Sequence, residues 1–227
     1  MPCFLRLLRI SALTTAVLAI AVPQTVQARA LAGQEFGVGY VKVEGNLPQS
    51  SNLGLAASPS DAALKTFAAT FATAAPDQLQ GIFVPKLFSL PVIQQPAGSP
   101  AFVSEEPGVV TQFAKASQFG STGLLAHNYL AGFQFPLLQQ GQQIQLVFGA
   151  GHTQAFVITA ILQYQALQPD SPYSDYVELE SSRQLTASDL YSEIYRRPGS
   201  LILQTCIARP GEDSWGRLFI IAEPLAA

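Results

Sequence analysis

From Gln80 onward the chain is a succession of short β-branched and aromatic runs, each cut off by proline, glycine or a polar turn cluster. The stretch GIFVPKLFSLPVIQQP carries Pro85, Pro91 and Pro96. Proline cannot donate to a strand ladder, so these pieces are expected to be edge or bent strands. Gly141 marks a turn ahead of an alternating strand over Ile144 to Phe148, and Ala155 to about Tyr164 is the longest strand candidate. After the turn cluster PDSPYSDY come two final strands, Leu201 to Thr205 and Leu218 to Ala222. No βαβ alternation, repeat or long linker interrupts them. The pattern predicts a mostly β domain over residues 80–227, an antiparallel barrel or sandwich of seven or eight strands with a few short helices.

The helical segments are few. SPSDAALKTFAATFATAA predicts a helix at about 60–75, with Ser58 or Ser60 as N-cap, Pro59 and Asp61 in the first turn, and Leu64, Phe67, Ala68 and Phe71 on one apolar face. It belongs to an extension, residues 29–79, ahead of the β domain. At most a short helix is expected around Gln112 to Ser117. LTASDLYSEIYRRPG carries full punctuation for another: Thr186 caps, Asp189 stands at the third helical position, Arg196 and Arg197 fall in the last turn, and Pro198 with Gly199 stops it.

The first 28 residues read as a secretory signal. Arg6 and Arg9 precede an uncharged apolar run from Ile10 to Val22, and Val26 and Ala28 are the small residues before a cleavage after Ala28. The run is short for a membrane span, which needs about 20 residues, so membrane association is expected only if this segment is uncleaved. The reading places the protein outside the cytoplasm, secreted or in the periplasm or cell envelope. Without Arg6 and Arg9 the chain keeps ten basic against fifteen acidic residues and has no basic cluster. A nucleic-acid partner, which needs many phosphate contacts, is disfavoured.

Chemistry-bearing residues are scarce. Of the two cysteines, Cys3 lies in the presumed signal, which leaves Cys206 without an internal disulfide partner; it is either a buried core thiol or a nucleophile. The histidines are His127 and His152. Nucleophilic chemistry at a cysteine calls for a thiolate, an imidazolium that can protonate a leaving amine, and a donor to the oxyanion. Cys206, His127 and Arg217 supply those types, each at a strand end or the adjoining loop. Arginine cannot act as a base, so its role is donation. Arg209 is the rival arginine, in the turn after Cys206, and His152 in GAGHTQ reads as an exposed turn residue. One cysteine and two distant histidines make a poor zinc site, and Glu105, Glu106, Glu212 and Asp213 lack the spacing of a calcium loop. Neither a metal nor another cofactor is expected.

Ile202-Leu203-Gln204-Thr205-Cys206 resembles the T-L-x-T-C signature of the sortases, cysteine transpeptidases of bacterial cell surfaces. Arg217 to Ala222 resembles their arginine strand, and Ala126-His127-Asn128 their histidine turn. FPLLQQGQQIQLVFG and GIFVPKLFSLPVI are similar to further stretches of that family, so the resemblance runs over about residues 80–227. It implies a closed antiparallel β-barrel, with the helix at 60–75 as a possible cap before it. It implies that Cys206, His127 and Arg217 are catalytic, with Asn128, Thr205, Trp215 and Ile202 in supporting or substrate-binding roles. The implied reaction is cleavage of an LPxTG-like sorting motif in a peptide or protein through a thioacyl enzyme, resolved by an amine or water. Ile202 replaces the first threonine of the signature, which bears on substrate preference. The alternative is a catalytically silent member of the fold, a peptide-binding or structural module of the cell envelope.

Overall fold

The computed structural model describes residues 59–226; the expected signal over 1–28 and residues 29–58 of the extension lie outside the described residues. Among the described residues ten strands form: β1 (Leu79–Val84), β2 (Phe88–Gln94), β3 (Val110–Phe113), β4 (Thr122–Leu125), β5 (Gln143–Phe148), β6 (Thr153–Ala166), β7 (Tyr176–Glu178), β8 (Gln184–Leu185), β9 (Leu201–Arg209) and β10 (Glu212–Pro224). Eight of them run in the order β10-β9-β4-β3-β2-β1-β5-β6, and β6 pairs with β10 to close a barrel. β7 and β8 extend the sheet from β6. The sheet is mixed, because β2 with β3 and β4 with β9 are parallel. Parallel neighbours need long connections. Here these are the loop after Gln94 and everything between β4 and β9.

In the closed barrel β1 and β2 each have a neighbour on both sides, so neither is an edge strand along its whole length. Pro91 pairs with Gly81 of β1, while the pairing of β2 with β3 begins only at Val92. On the β3 side the missing donor therefore falls just before the ladder starts. The first helix, α1 (Pro59–Ala69), stops short of the expected Ala75. Beyond it the amides of Thr70, Phe71 and Ala72 bond three residues back, and the Thr70 hydroxyl donates to Phe67 O at 2.6 Å. Local side-chain bonding of this kind competes with the helical ladder. Phe67 of α1 lies against the outer face of β1, where Gly81 leaves room for its ring and Phe83 lies 6.4 Å away between ring centroids.

Period-two alternation divides the barrel wall into two cores. Ile82, Leu90, Val110, Leu124, Ile144, Leu146, Leu203 and Ile220 fill the barrel. Outside it, Ile202, Phe219, Ile221 and Tyr164 pack under a helix, α3 (Ala187–Tyr195), through Leu190, Ile194 and Tyr195. Apolar runs such as LFIIA are thereby explained, since these strands are covered on both faces. Thr186 caps α3, its Oγ1 accepting from Asp189 N at 3.1 Å. Arg196 and Arg197 fall just past the last helical residue, and Arg197 Nε donates to Glu193 O at 2.9 Å. A short α2 (Ala114–Ser117) completes the outer cover.

Tyr164 gives this outer core a pH signature. Burial first, then the carboxylates of Glu178 and Glu193, push its phenol up to about 12, against an opposing pull from Arg183. A group raised in the folded state contributes stability that is complete below its unfolded pKa of about 10 and lost as pH climbs through its folded value. Urea midpoints measured across this range are expected to fall between about pH 10 and 12. The fall should be smaller in Tyr164→Phe, which has no proton to lose there.

Candidate active site

Cys206 and Arg217 are direct Cα partners in the antiparallel β9–β10 pair. Residues opposite one another in such a pair share a face. Leu201 and Leu203 point into the barrel, and Ile202 into the outer core. Alternation then puts Cys206 on the outer face of β9, and Arg217, two residues before Phe219, on the outer face of β10. Both are half-buried.

The parallel β4–β9 pairing brings the histidine loop to the same place. Its register ends at Leu125 opposite Gln204. One residue on, Ala126 N donates to Gln204 O at 3.2 Å, and the buried Thr205 hydroxyl donates to Ala126 O at 2.8 Å. Contact is thus carried to Ala126, the residue before His127. Cys206 and Arg217 thus share one row across β9 and β10, and His127 follows in the loop after β4. Tyr164 continues that row as Arg217's partner on β6.

The loop after His127 folds back tightly. Leu130 N and Gly132 N both donate to His127 O at 3.0 Å. A Cβ on Gly132 would stand 2.3 Å from Thr205 Oγ1 and 2.8 Å from the carbonyl oxygens of Ala126 and His127. Only glycine permits this approach. Asn128 Nδ2 donates to Asp213 O at 3.0 Å, which ties the histidine loop to the irregular stretch of β10 between Glu212 and Gly216. Arg217 holds the same stretch from the other side, its Nη1 donating to Ser214 O and Gly216 O at 2.9 Å each. The His127 ring stacks on Tyr129, with 5.2 Å between centroids.

Other expected residues lie elsewhere. Ile202 is fully buried in the outer core, so it packs the site from beneath and offers no surface to a ligand. Arg209 lies with its guanidinium 3.3 Å over the Trp215 ring, a cation–π pair at the hairpin end, whereas Arg217 is the arginine opposite Cys206. His152 is exposed at the start of β6, remote in register from β9. Sequence reasoning missed Gly132, Gln204 and Tyr195. The Tyr195 hydroxyl donates to Gln204 Oε1 at 2.5 Å, two residues from Cys206 on the same face. Burial, aided by Tyr191, raises the Tyr195 pKa far above the ordinary range, so this hydroxyl stays a donor at any working pH.

No protein-family model matches the chain, and no curated protein matches it. Solved structures do. Sortase C1 from Streptococcus suis is similar over 71% of this chain and 80% of its own, at 15% identity and a TM-score of 0.46. Sortase C-1 from Actinomyces oris is similar over 71% and 80%, at 15% identity and 0.42. Sortase C from Clostridium perfringens SM101 is similar over 76% and 93%, at 14% identity and 0.40.

The Thr205–Ala126 bond is the testable joint of this site. Thr205→Val keeps the shape but leaves a buried carbonyl without its donor, which costs about 1–3 kcal/mol. Urea unfolding is expected to show that loss for Thr205→Val and little loss for Thr205→Ser. Equal stability in the two variants would mean that the bond does not hold the loop.

Proposed function

We propose that this chain is a sortase-type cysteine transpeptidase that cleaves a sorting motif of LPxTG kind. The observation that carries the reading is the direct cross-strand pairing of Cys206 with Arg217, with the Ala126–His127 turn bonded to β9 at residues 204 and 205. The Cys206 thiolate attacks the carbonyl carbon of the scissile peptide bond, forming a C–S bond. The C–N bond breaks, and the His127 imidazolium gives its proton to the leaving amine. In the second half an incoming amine attacks the thioester, the C–S bond breaks, and the amine's proton passes to His127 as the Cys206 thiolate is restored. Water in place of the amine gives hydrolysis.

Arg217 donates to the substrate carbonyl or the oxyanion. Its five N–H groups exceed what Nη1 spends on Ser214 and Gly216, whose carbonyls orient it. Thr205 and Asn128 set the loop that carries His127. The apolar run ahead of Ala28, with Arg6 and Arg9 before it, supports export, and the protein acts in the cell envelope or beyond it.

Intact mass after incubation with a library of LPxTG-like peptides is the test. An adduct equal to the acyl half of one peptide is expected on the wild-type protein and absent from Cys206→Ala. His127→Ala and Arg217→Ala should slow its turnover by roughly 10²–10⁴. A folded protein that forms no adduct with any peptide contradicts the reading and leaves the silent, peptide-binding module.

A further inference from the structure

We infer that the mouth of the barrel at the end away from Cys206 binds a neutral polyhydroxyl ligand, a sugar residue. The inference stands apart from the transpeptidase reading and uses none of its residues. Thr122, on the wall of this mouth, pairs with Leu201, five residues and about 16 Å of strand before Cys206. The cavity there holds about 470 Å³, inside the range of about 300–1,000 Å³ that ligand clefts occupy.

Strand alternation makes this mouth polar. Val92, Val110 and Leu124 belong to the barrel core. Two residues away on the same face stand Gln94 and Gln112, direct Cα partners in the β2–β3 pair, and Thr122 on β4. The inward row thus changes from aliphatic to amide and hydroxyl at this end. Ile82 and Leu79, three residues apart, both reach the barrel core, because a register shift in β1 between Leu79 and Gly81 resets the alternation. Bulges of this kind re-aim side chains at barrel rims, and here Leu79 comes to lie opposite Phe148. The rim is tied down on both sides: Gln94 Nε2 donates to Leu79 O at 3.1 Å, and Gly149 N donates to Gln78 O at 3.0 Å.

The lining identifies the class of ligand. Among the described residues, the Gln112 amide and the Thr122 hydroxyl are spent on no protein partner, and the bond from Gln94 Nε2 leaves that residue's carbonyl oxygen open. A carboxamide both donates and accepts, as a hydroxyl does. A ring of hydroxyl groups needs that pairing at each position. Leu79 and Phe148 supply an apolar wall for the C–H face of such a ring. Asp77 is the one charged residue of the lining. Its carboxylate accepts from a hydroxyl, and with no cation beside it in the lining it repels a phosphate or a carboxylate. A single carboxylate is too small a ligand set for a divalent metal.

Backbone-amide NMR titration of the wild-type chain tests this with two sugars that differ by one charge, methyl β-glucoside and methyl β-glucuronide. The glucoside is expected to shift the signals of residues 78–79, 94, 112 and 122, and to bind about tenfold more tightly than the glucuronide. Gln112→Leu and Thr122→Val keep the strand shape and remove one polar group each, so each should weaken glucoside binding roughly fivefold. Cys206→Ala should bind the glucoside as the wild type does. No binding, equal affinity for the two sugars, shifts confined to the surroundings of Cys206, loss of binding in Cys206→Ala, or undiminished binding in the folded Gln112 and Thr122 variants would each overturn the inference. Where a variant fails to fold, the wild-type shifts and the preference between the two sugars still decide it. Failure of the peptide library to form an adduct strikes the transpeptidase reading alone.

Discussion

The parallel pairing of β4 with β9 is the constraint on which the rest depends. It joins residues about 80 positions apart in the chain, Leu125 opposite Gln204, and the Thr205 hydroxyl extends the contact to Ala126. With Ala126 N on Gln204 O, that bond holds the residue before His127 to β9. Loops that bear function gain precision when a rigid element fixes their first residue. Here the fixing group is the side chain immediately before Cys206, so one strand both presents the thiol and anchors the histidine turn.

β9 can serve both ends because it is covered on both sides. Leu201 and Leu203 are buried in the barrel, and Ile202 under α3. Burying an apolar side chain of this size stabilises by roughly 1.5–3 kcal/mol each, so the strand has little freedom below Cys206. The outer cover also suits an aliphatic residue at Ile202. In this chain the position is fully buried against aromatic and aliphatic neighbours, and an aliphatic side chain leaves no hydroxyl to satisfy. Tyr195 closes the floor by bonding Gln204, which orders the polar residue nearest Cys206 on that face.

Much of this was legible in the sequence. The β-branched runs and their turn punctuation marked β1, β2, β5, β6, β9 and β10 but not β3, part of which read as a short helix around Gln112; the Thr186–Asp189 pair marked the start of α3, and the spacing of Cys206 and Arg217 suited neighbouring strands of one hairpin. Other features were hidden for physical reasons. β9 and β10 reach to Arg209 and Glu212, well past the expected apolar ends, because the hairpin projects beyond the core and needs no apolar residues there. Helix α1 ended early through a threonine hydroxyl bond that apolar periodicity does not register. Gly132 reads as an ordinary loop glycine until the distance to Thr205 is known. The parallel pairings follow from long-range closure, which local patterns do not carry.

Cys206 faces Arg217 across the hairpin, and the proposal needs His127 beside the same thiol; engineered disulfides measure this most directly. A bridge forms where Cα atoms lie about 4.4–6.8 Å apart with suitably directed side chains. His127→Cys and Arg217→Cys, each prepared separately, would be oxidised mildly and mapped by peptide mass for a link to Cys206. The account predicts an intramolecular link in both variants. A link in Arg217→Cys with none in His127→Cys would contradict it, because the histidine loop would then lie away from the thiol.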